Sequence, residues 1–147
     1  FVPVRILPNF SELQVDKGPW MWLRVALVIA AVLGHLYPVF ANFKGGKGVA
    51  TSLGGVLAVH PGAAAVCVAV FAIVFWLSRY VSLGSLSAAV AFPLAVVLIY
   101  QEISAVKIGF AIGLCIMVFY THRENIGRLW RGEENRMSLA GRSGGTH

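Results

Sequence analysis

The sequence predicts an all-α fold, a polytopic helical transmembrane bundle with about five membrane segments, and three observations lead there. Of the 147 residues, 58% are hydrophobic and only 12% charged, whereas about a quarter of a soluble domain is charged. Apolar runs approaching the length that spans a bilayer recur along the chain, broken by short polar breaks. The twelve basic residues, behind a net charge of +6, fall between those runs and in the tail. That pattern sets membrane topology and does not make the solvated basic face that nucleic acid would require.

In chain order, residues 1–4 (Phe1 to Val4) read as the end of a helix whose beginning lies upstream. Residues 1–10 lack the basic start and long apolar core of a cleavable signal. With no initiator methionine, the expectation is an N-terminally truncated protein. Residues 20–41 make a span, with Trp20 and Trp22 suited to the interface and Arg24 near enough to that end to snorkel. Residues 49–60 are apolar but short for a crossing. Residues 62–78, 82–100 and 104–120 are three further spans, and Pro93 is expected to kink the second of them. We expect one transmembrane domain over residues 1–136 and a disordered tail over 137–147, whose residues are small and polar.

If every run crosses, Lys44, Lys47, Arg79, Arg123, Arg128, Arg131, Arg136 and Arg142 share one side. Arg5, Lys17 and Lys107, offset by Glu12, Asp16 and Glu102, share the other. Short cytoplasmic loops collect Lys and Arg, so the first side is expected to be cytoplasmic. Cys67 and Cys115 lie singly within apolar runs, without metal-ligand spacing, and read as packing residues. No metal or cofactor is expected.

The residues that carry chemistry begin at Gly34-His35-Leu36-Tyr37-Pro38 and continue through Phe43-Lys44-Gly45-Gly46-Lys47-Gly48-Val49-Ala50-Thr51. Three glycines and two lysines occupy five positions there. Glycine lets successive N–H groups converge on one anion. A helix starting near Gly48 would aim its unpaired N–H groups and positive dipole end at the same point, with Lys47 adding a full charge. A phosphate fits that environment. The loop is not of the Walker type, because Gly48 and not Ser or Thr follows Lys47, and Ala41 stands where an earlier glycine is needed. On the loop alone, a plain basic turn is the alternative reading. His35, near the end of its helix in the membrane, tilts the reading toward function, although a backbone hydrogen bond would also account for it. His60, beside Pro61, reads as interfacial.

A second constellation, Thr121 to Leu129, follows the last span on the same side as the loop. His122 and Asn125 are three apart and share a face if the helix continues. His122 has the chemistry of a general base near neutral pH. Arg128, Arg131 and Arg136 read as contacts to anionic lipid headgroups, and the small residues from Ser82 to Ala88 as close helix packing.

Taken together, GHLYPVFANFKGGKGVATS, SRYVSLGSLSAA and THRENIGRLWRGEENR, in this order, resemble the bacterial acyl-phosphate:glycerol-3-phosphate acyltransferase family over residues 20–136. The resemblance implies an all-helical bacterial inner-membrane enzyme. Such an enzyme moves a fatty acyl group from acyl phosphate to the sn-1 hydroxyl of glycerol 3-phosphate in phospholipid synthesis, as a monomer, in contact with membrane lipid and without nucleic acid. It further implies that Gly45, Gly46, Lys47 and Gly48 hold substrate phosphate, with His35, Lys44, Thr51 and Ser82 completing the substrate-binding set. His122 and Asn125 would be the catalytic pair, and Glu134 structural. The family's serine- and arginine-bearing loop between its first two helices has no counterpart here. If residues 1–4 end the second helix, that loop lies upstream of residue 1, and this chain alone is expected to be inactive. A rival reading from the residues is a small transporter or channel subunit using the glycine loop as a half-helix anion site. It would need paired broken helices, and one such loop is found. A non-catalytic assembly protein, with the loop a mere turn, is the third reading.

Overall fold

The computed structural model describes residues 20–37 and 47–137, and every regular element among them is helical. Six helices follow in order: α1 (Trp20–Leu36), α2 (Val49–Val59), α3 (Pro61–Ser78), α4 (Val81–Leu94), α5 (Ala105–Thr121) and α6 (Arg123–Trp130). A π-helical turn, Ala95–Ile99, extends α4. The five expected apolar segments are thus present as helices, within a residue or two where described. The last part of the first predicted span, residues 38–41, and the tail from residue 138 lie outside the described residues.

Two helical stretches, Pro61–Ser78 and Val81–Ile99, are each long and apolar enough to cross a membrane. Ala105–Thr121 and Arg123–Trp130 pass the same test as a pair bent by 61°. Helices α1 and α2 are apolar but shorter, so length and composition support two or three spans and not the full five. The outward side chains fit a lipid surrounding. Trp22, Leu27, Trp76, Leu77, Leu98 and Ile116 all stand largely exposed, which in water would be an aggregating surface and in hydrocarbon is none.

Inside, helices meet through small residues, as membrane bundles do in the absence of a hydrophobic drive between them. Ala63 and Ala111 are wholly buried. A Cβ at Gly55 would stand 2.2 Å from Val28 Cγ1, and one at Gly84 3.0 Å from Phe71 Cδ2. The first fixes α2 on α1 and the second α4 on α3, the packing expected of the Ser82–Ala88 stretch. Phe92 meets Phe110 edge to face at 5.9 Å.

Pro93 perturbs α4 as expected, because it has no N–H to give and its ring crowds the preceding turn. The ladder widens just beyond it, with the Tyr100 N–H reaching back to Ala95 O. At the other end of α3, Arg79 closes the helix in the left-handed region (φ 66°), Tyr80 is extended, and α4 begins at Val81. This two-residue turn brings α4 straight back along α3.

Two polar groups at the far end depart from expectation. His60 is buried within the protein: it ends α2, its Nδ1 accepts from the Ala63 N–H at 3.2 Å as the cap of α3, and its ring lies 4.5 Å from that of Tyr100. Lys107 is buried on α5, and its ammonium meets Glu102 at 2.6 Å. Local pairing thus uses a lysine that the charge pattern assigned to topology.

Candidate functional site

The site is assembled where α2 begins, α4 begins and α5 ends. Gly48 precedes α2 with φ +70°, a backbone that side-chain-bearing residues rarely adopt. Gly48, at the N-cap, has no side chain to cap the helix start, and the first N–H groups of a helix have no partner within the helix itself. Helix α2 therefore starts where the sequence placed it, and Lys47 stands immediately in front. Lys44, Gly45 and Gly46 lie outside the described residues.

Lys47 does not point idly to solvent. Its Nζ donates to Asn125 Oδ1, 78 residues further along the chain. Asn125 is buried and passes the connection on, Nδ2 donating to Glu134 Oε1 at 2.6 Å. The same carboxylate oxygen accepts from Ser82 Oγ at 2.7 Å, and Oε2 accepts from Arg128 Nε at 2.8 Å. One carboxylate thereby joins the start of α4 to α6, and through Asn125 to the start of α2. Burial would raise the Glu134 carboxyl. Hydrogen bonds from Asn125, Ser82 and Arg128 outweigh burial and hold it down at about 2.

His122 stands beyond the end of α5, almost fully buried. The helix does not run on through it as expected. It breaks there by 61° into α6, and His122 serves as last cap of one helix and first of the next. Nevertheless both His122 and Asn125 are buried, since α6 begins again at once. His122 Nδ1 lies 2.9 Å from Val118 O. A carbonyl can only accept, so Nδ1 carries the proton and Nε2 keeps its lone pair. Burial pushes the imidazole below its ordinary value and Lys47 adds to this, outweighing the opposite pulls of the Val118 carbonyl and, more weakly, Glu134. The neutral form is thus favoured at neutral pH.

Residues 134–137 are clasped across the α3–α4 turn. Arg136 Nε donates to Tyr80 Oη at 2.9 Å and its guanidinium lies over the Tyr80 ring, while the Met137 N–H donates to Arg79 O. Arg128 and Arg136, read from the sequence as lipid-headgroup contacts, have protein partners in Glu134 and Tyr80. Arg131 pairs with Glu133 in the open. Of the remaining expected residues, Ser82 and Glu134 enter the network, Thr51 is half-buried on α2, and His35 is exposed on the last turn of α1. The structure does not bring His35 into the network. Sequence reasoning missed Tyr80 and Arg136, whose pairing has no local spacing signal. It also missed Ser52, an ordinary serine on α2 that proves to be buried.

Residues 1–132 match the profile of the family described as glycerol-3-phosphate acyltransferase. The chain belongs to that family. Among curated glycerol-3-phosphate acyltransferases, the one from Syntrophomonas wolfei is 44% identical over 79% of this chain and 58% of its own length. The one from Salinibacter ruber is 41% identical over 92% and 61%. A crystal structure of PlsY (YgiH), an integral membrane glycerol 3-phosphate acyltransferase in its glycerol 3-phosphate form, superposes with a TM-score of 0.75 at 39% identity. It covers 88% of this chain and 64% of that one. The lysophosphatidic acid form matches equally well, with a TM-score of 0.75 at 40% identity. The chain therefore spans about six-tenths of the length of these relatives. Within the glycerol-3-phosphate acyltransferase fold, the Lys47–Asn125–Glu134 connection joins the two sequence blocks on which the resemblance chiefly rests.

Proposed function

We propose that the protein transfers a fatty acyl group from acyl phosphate to the sn-1 hydroxyl of glycerol 3-phosphate, giving lysophosphatidic acid and phosphate. The reading rests on family membership and, in the molecule itself, on one observation: Lys47, at the start of α2, is tied to Asn125 beside the buried His122. Cation, helix start and imidazole are thereby gathered at one end of the bundle. Both substrates carry phosphate, for which this is the matching environment.

In this account Gly45, Gly46, Lys47 and Gly48 hold a substrate phosphate, with His35, Lys44, Thr51 and Ser82 about it. Glu134 orients Asn125. The acyl phosphate is already activated, so no enzyme nucleophile is needed and positioning with charge stabilisation suffices. The glycerol oxygen bonds to the acyl carbon as the bond from that carbon to the phosphate oxygen breaks. Its electron pair leaves with phosphate, and the hydroxyl proton passes to His122 Nε2 or to the departing phosphate. Neither metal nor cofactor enters. The enzyme works as a monomer in the bacterial inner membrane, with the glycine loop and tail facing the cytoplasm.

The test places the protein in nanodiscs, alone and joined to the portion of the Syntrophomonas wolfei relative that it does not span, with palmitoyl phosphate and glycerol 3-phosphate. Lysophosphatidic acid and phosphate should appear one for one in the joined protein, with the chain alone inactive. Lys47→Ala and His122→Ala should each lower the rate about 100-fold or more. No transfer from acyl phosphate or acyl-CoA, together with anion flux in liposomes, would overturn the reading in favour of a transporter.

A further inference from the structure

Below the start of α2, between α2, α3, α4 and α5, lies a half-open cavity of 160 Å³. Its walls are almost entirely apolar, with Val56, Val68, Phe71, Phe92 and Leu114 among them. Two serines also line it, and they differ. Ser85 Oγ is satisfied internally, donating to Val81 O one turn back at 3.0 Å. Ser52, 5% exposed, has a hydroxyl without a hydrogen-bond partner among the described residues, and only its backbone N–H reaches Gly48 O. A buried hydroxyl left in this state is destabilising. Water is a poor remedy, since an apolar cavity of similar size, about 150 Å³, stays dry and takes a hydrocarbon guest instead.

The position of that hydroxyl suggests its partner. Ser52 lies one helical turn, roughly 5.4 Å, beyond Gly48. An anion at the start of α2 therefore has, one turn deeper, a hydrogen-bond donor and then an apolar hollow. An acyl phosphate carries its groups in that order: phosphate, carbonyl, alkyl chain. Resting on the acyl-phosphate reading above, we propose that the Ser52 hydroxyl donates to the carbonyl oxygen of the acyl donor, and that the cavity holds the carbons next to it. The remainder of the chain leaves through the open side into lipid. Ser52 is then a substrate-binding residue that tells an acyl chain from an alkyl chain.

The experiment measures binding to the 147-residue protein in nanodiscs, with no turnover needed. The probes are 2-oxoheptadecylphosphonate, which has a carbonyl, and heptadecylphosphonate, which lacks it. The protein should prefer the ketone by about two- to tenfold, the contribution of one hydrogen bond. Ser52→Ala should abolish the preference and Ser52→Thr retain it. The unliganded Ser52→Ala protein should melt no lower than the parent, because an unsatisfied hydroxyl has been removed. Ala89→Phe, which fills the cavity, should weaken both long probes while leaving acetonylphosphonate unchanged. Equal binding of the two long probes, a preference surviving Ser52→Ala, or a lowered melting temperature in that variant would each overturn the assignment of Ser52 while leaving acyl transfer standing. Failure of both long phosphonates to bind would overturn the acyl-donor reading itself.

Discussion

The two ends of the bundle handle polar groups differently. At the end that holds the start of α2, contacts join residues 52 to 78 positions apart, Ser82 to Glu134 and Lys47 to Asn125. At the other end Glu102 pairs with Lys107, five residues on, and its carboxyl is lowered mainly by that hydrogen bond. The near end is held together by one carboxylate that gathers donors from α4, α6 and, through Asn125, Lys47 ahead of α2, and it still presents the helix start. The far end neutralises itself locally. Polar residues wired over long sequence distances around an open donor set mark a site, whereas a charge paired with its neighbour in the loop staples a turn.

The largest expected effect comes from breaking the near end. Glu134→Ala leaves Asn125, Ser82 and Arg128 without their common acceptor. Acyl transfer in the joined protein should fall by about 100-fold, and unfolding in detergent should show a loss of about 1–3 kcal/mol, as when a buried donor loses its acceptor. A variant with parental activity would detach the network from the site. Glu102→Ala sharpens the contrast: stability should fall by about 2–4 kcal/mol through the buried Lys107, while the rate per folded molecule stays within about twofold. A matching collapse of that rate would mean that the ends are not independent.

Packing and pH give smaller effects. Gly55→Ala forces a methyl against Val28 and should cost about 1–3 kcal/mol by overpacking, measured as a lower melting temperature with kcat of the joined protein unchanged. The Glu134 carboxyl titrates at about 2 folded against its ordinary 4.5. As pH falls the unfolded chain takes up the proton first, so the stabilisation is whole above about 4.5 and lost progressively toward 2. Acid unfolding curves of the parent and Glu134→Gln should accordingly converge over that window. The exposed Arg131–Glu133 pair should matter least, with Arg131→Ala changing stability by about 0.5 kcal/mol or less.

The helices were legible because hydrocarbon leaves few alternatives to them, and Gly48 was legible because a turn into α2 needs a residue tolerant of positive φ. His122, Asn125 and Glu134 could be singled out because polar residues crowd just after an apolar run in a block resembling a known family. What could not be read was the wiring. Nothing local says that Asn125 accepts from Lys47, that Arg136 clasps Tyr80, or that α6 turns away by 61°. Those depend on the return of α4 along α3, set by the Arg79–Tyr80 turn. Ser52 and Ser85 look alike in sequence, and only packing shows that the Ser85 hydroxyl is satisfied while that of Ser52 has no partner among the described residues.

The central claim is that the start of α2 and the segment after α5 form one site. A double-mutant cycle on Lys47→Ala and Asn125→Ala tests it most directly, reading kcat/KM for glycerol 3-phosphate in the joined protein. Groups acting as a unit should be strongly non-additive, with the double variant about as impaired as the worse single one and a coupling of roughly 3- to 100-fold. Effects that simply multiply would contradict the claim.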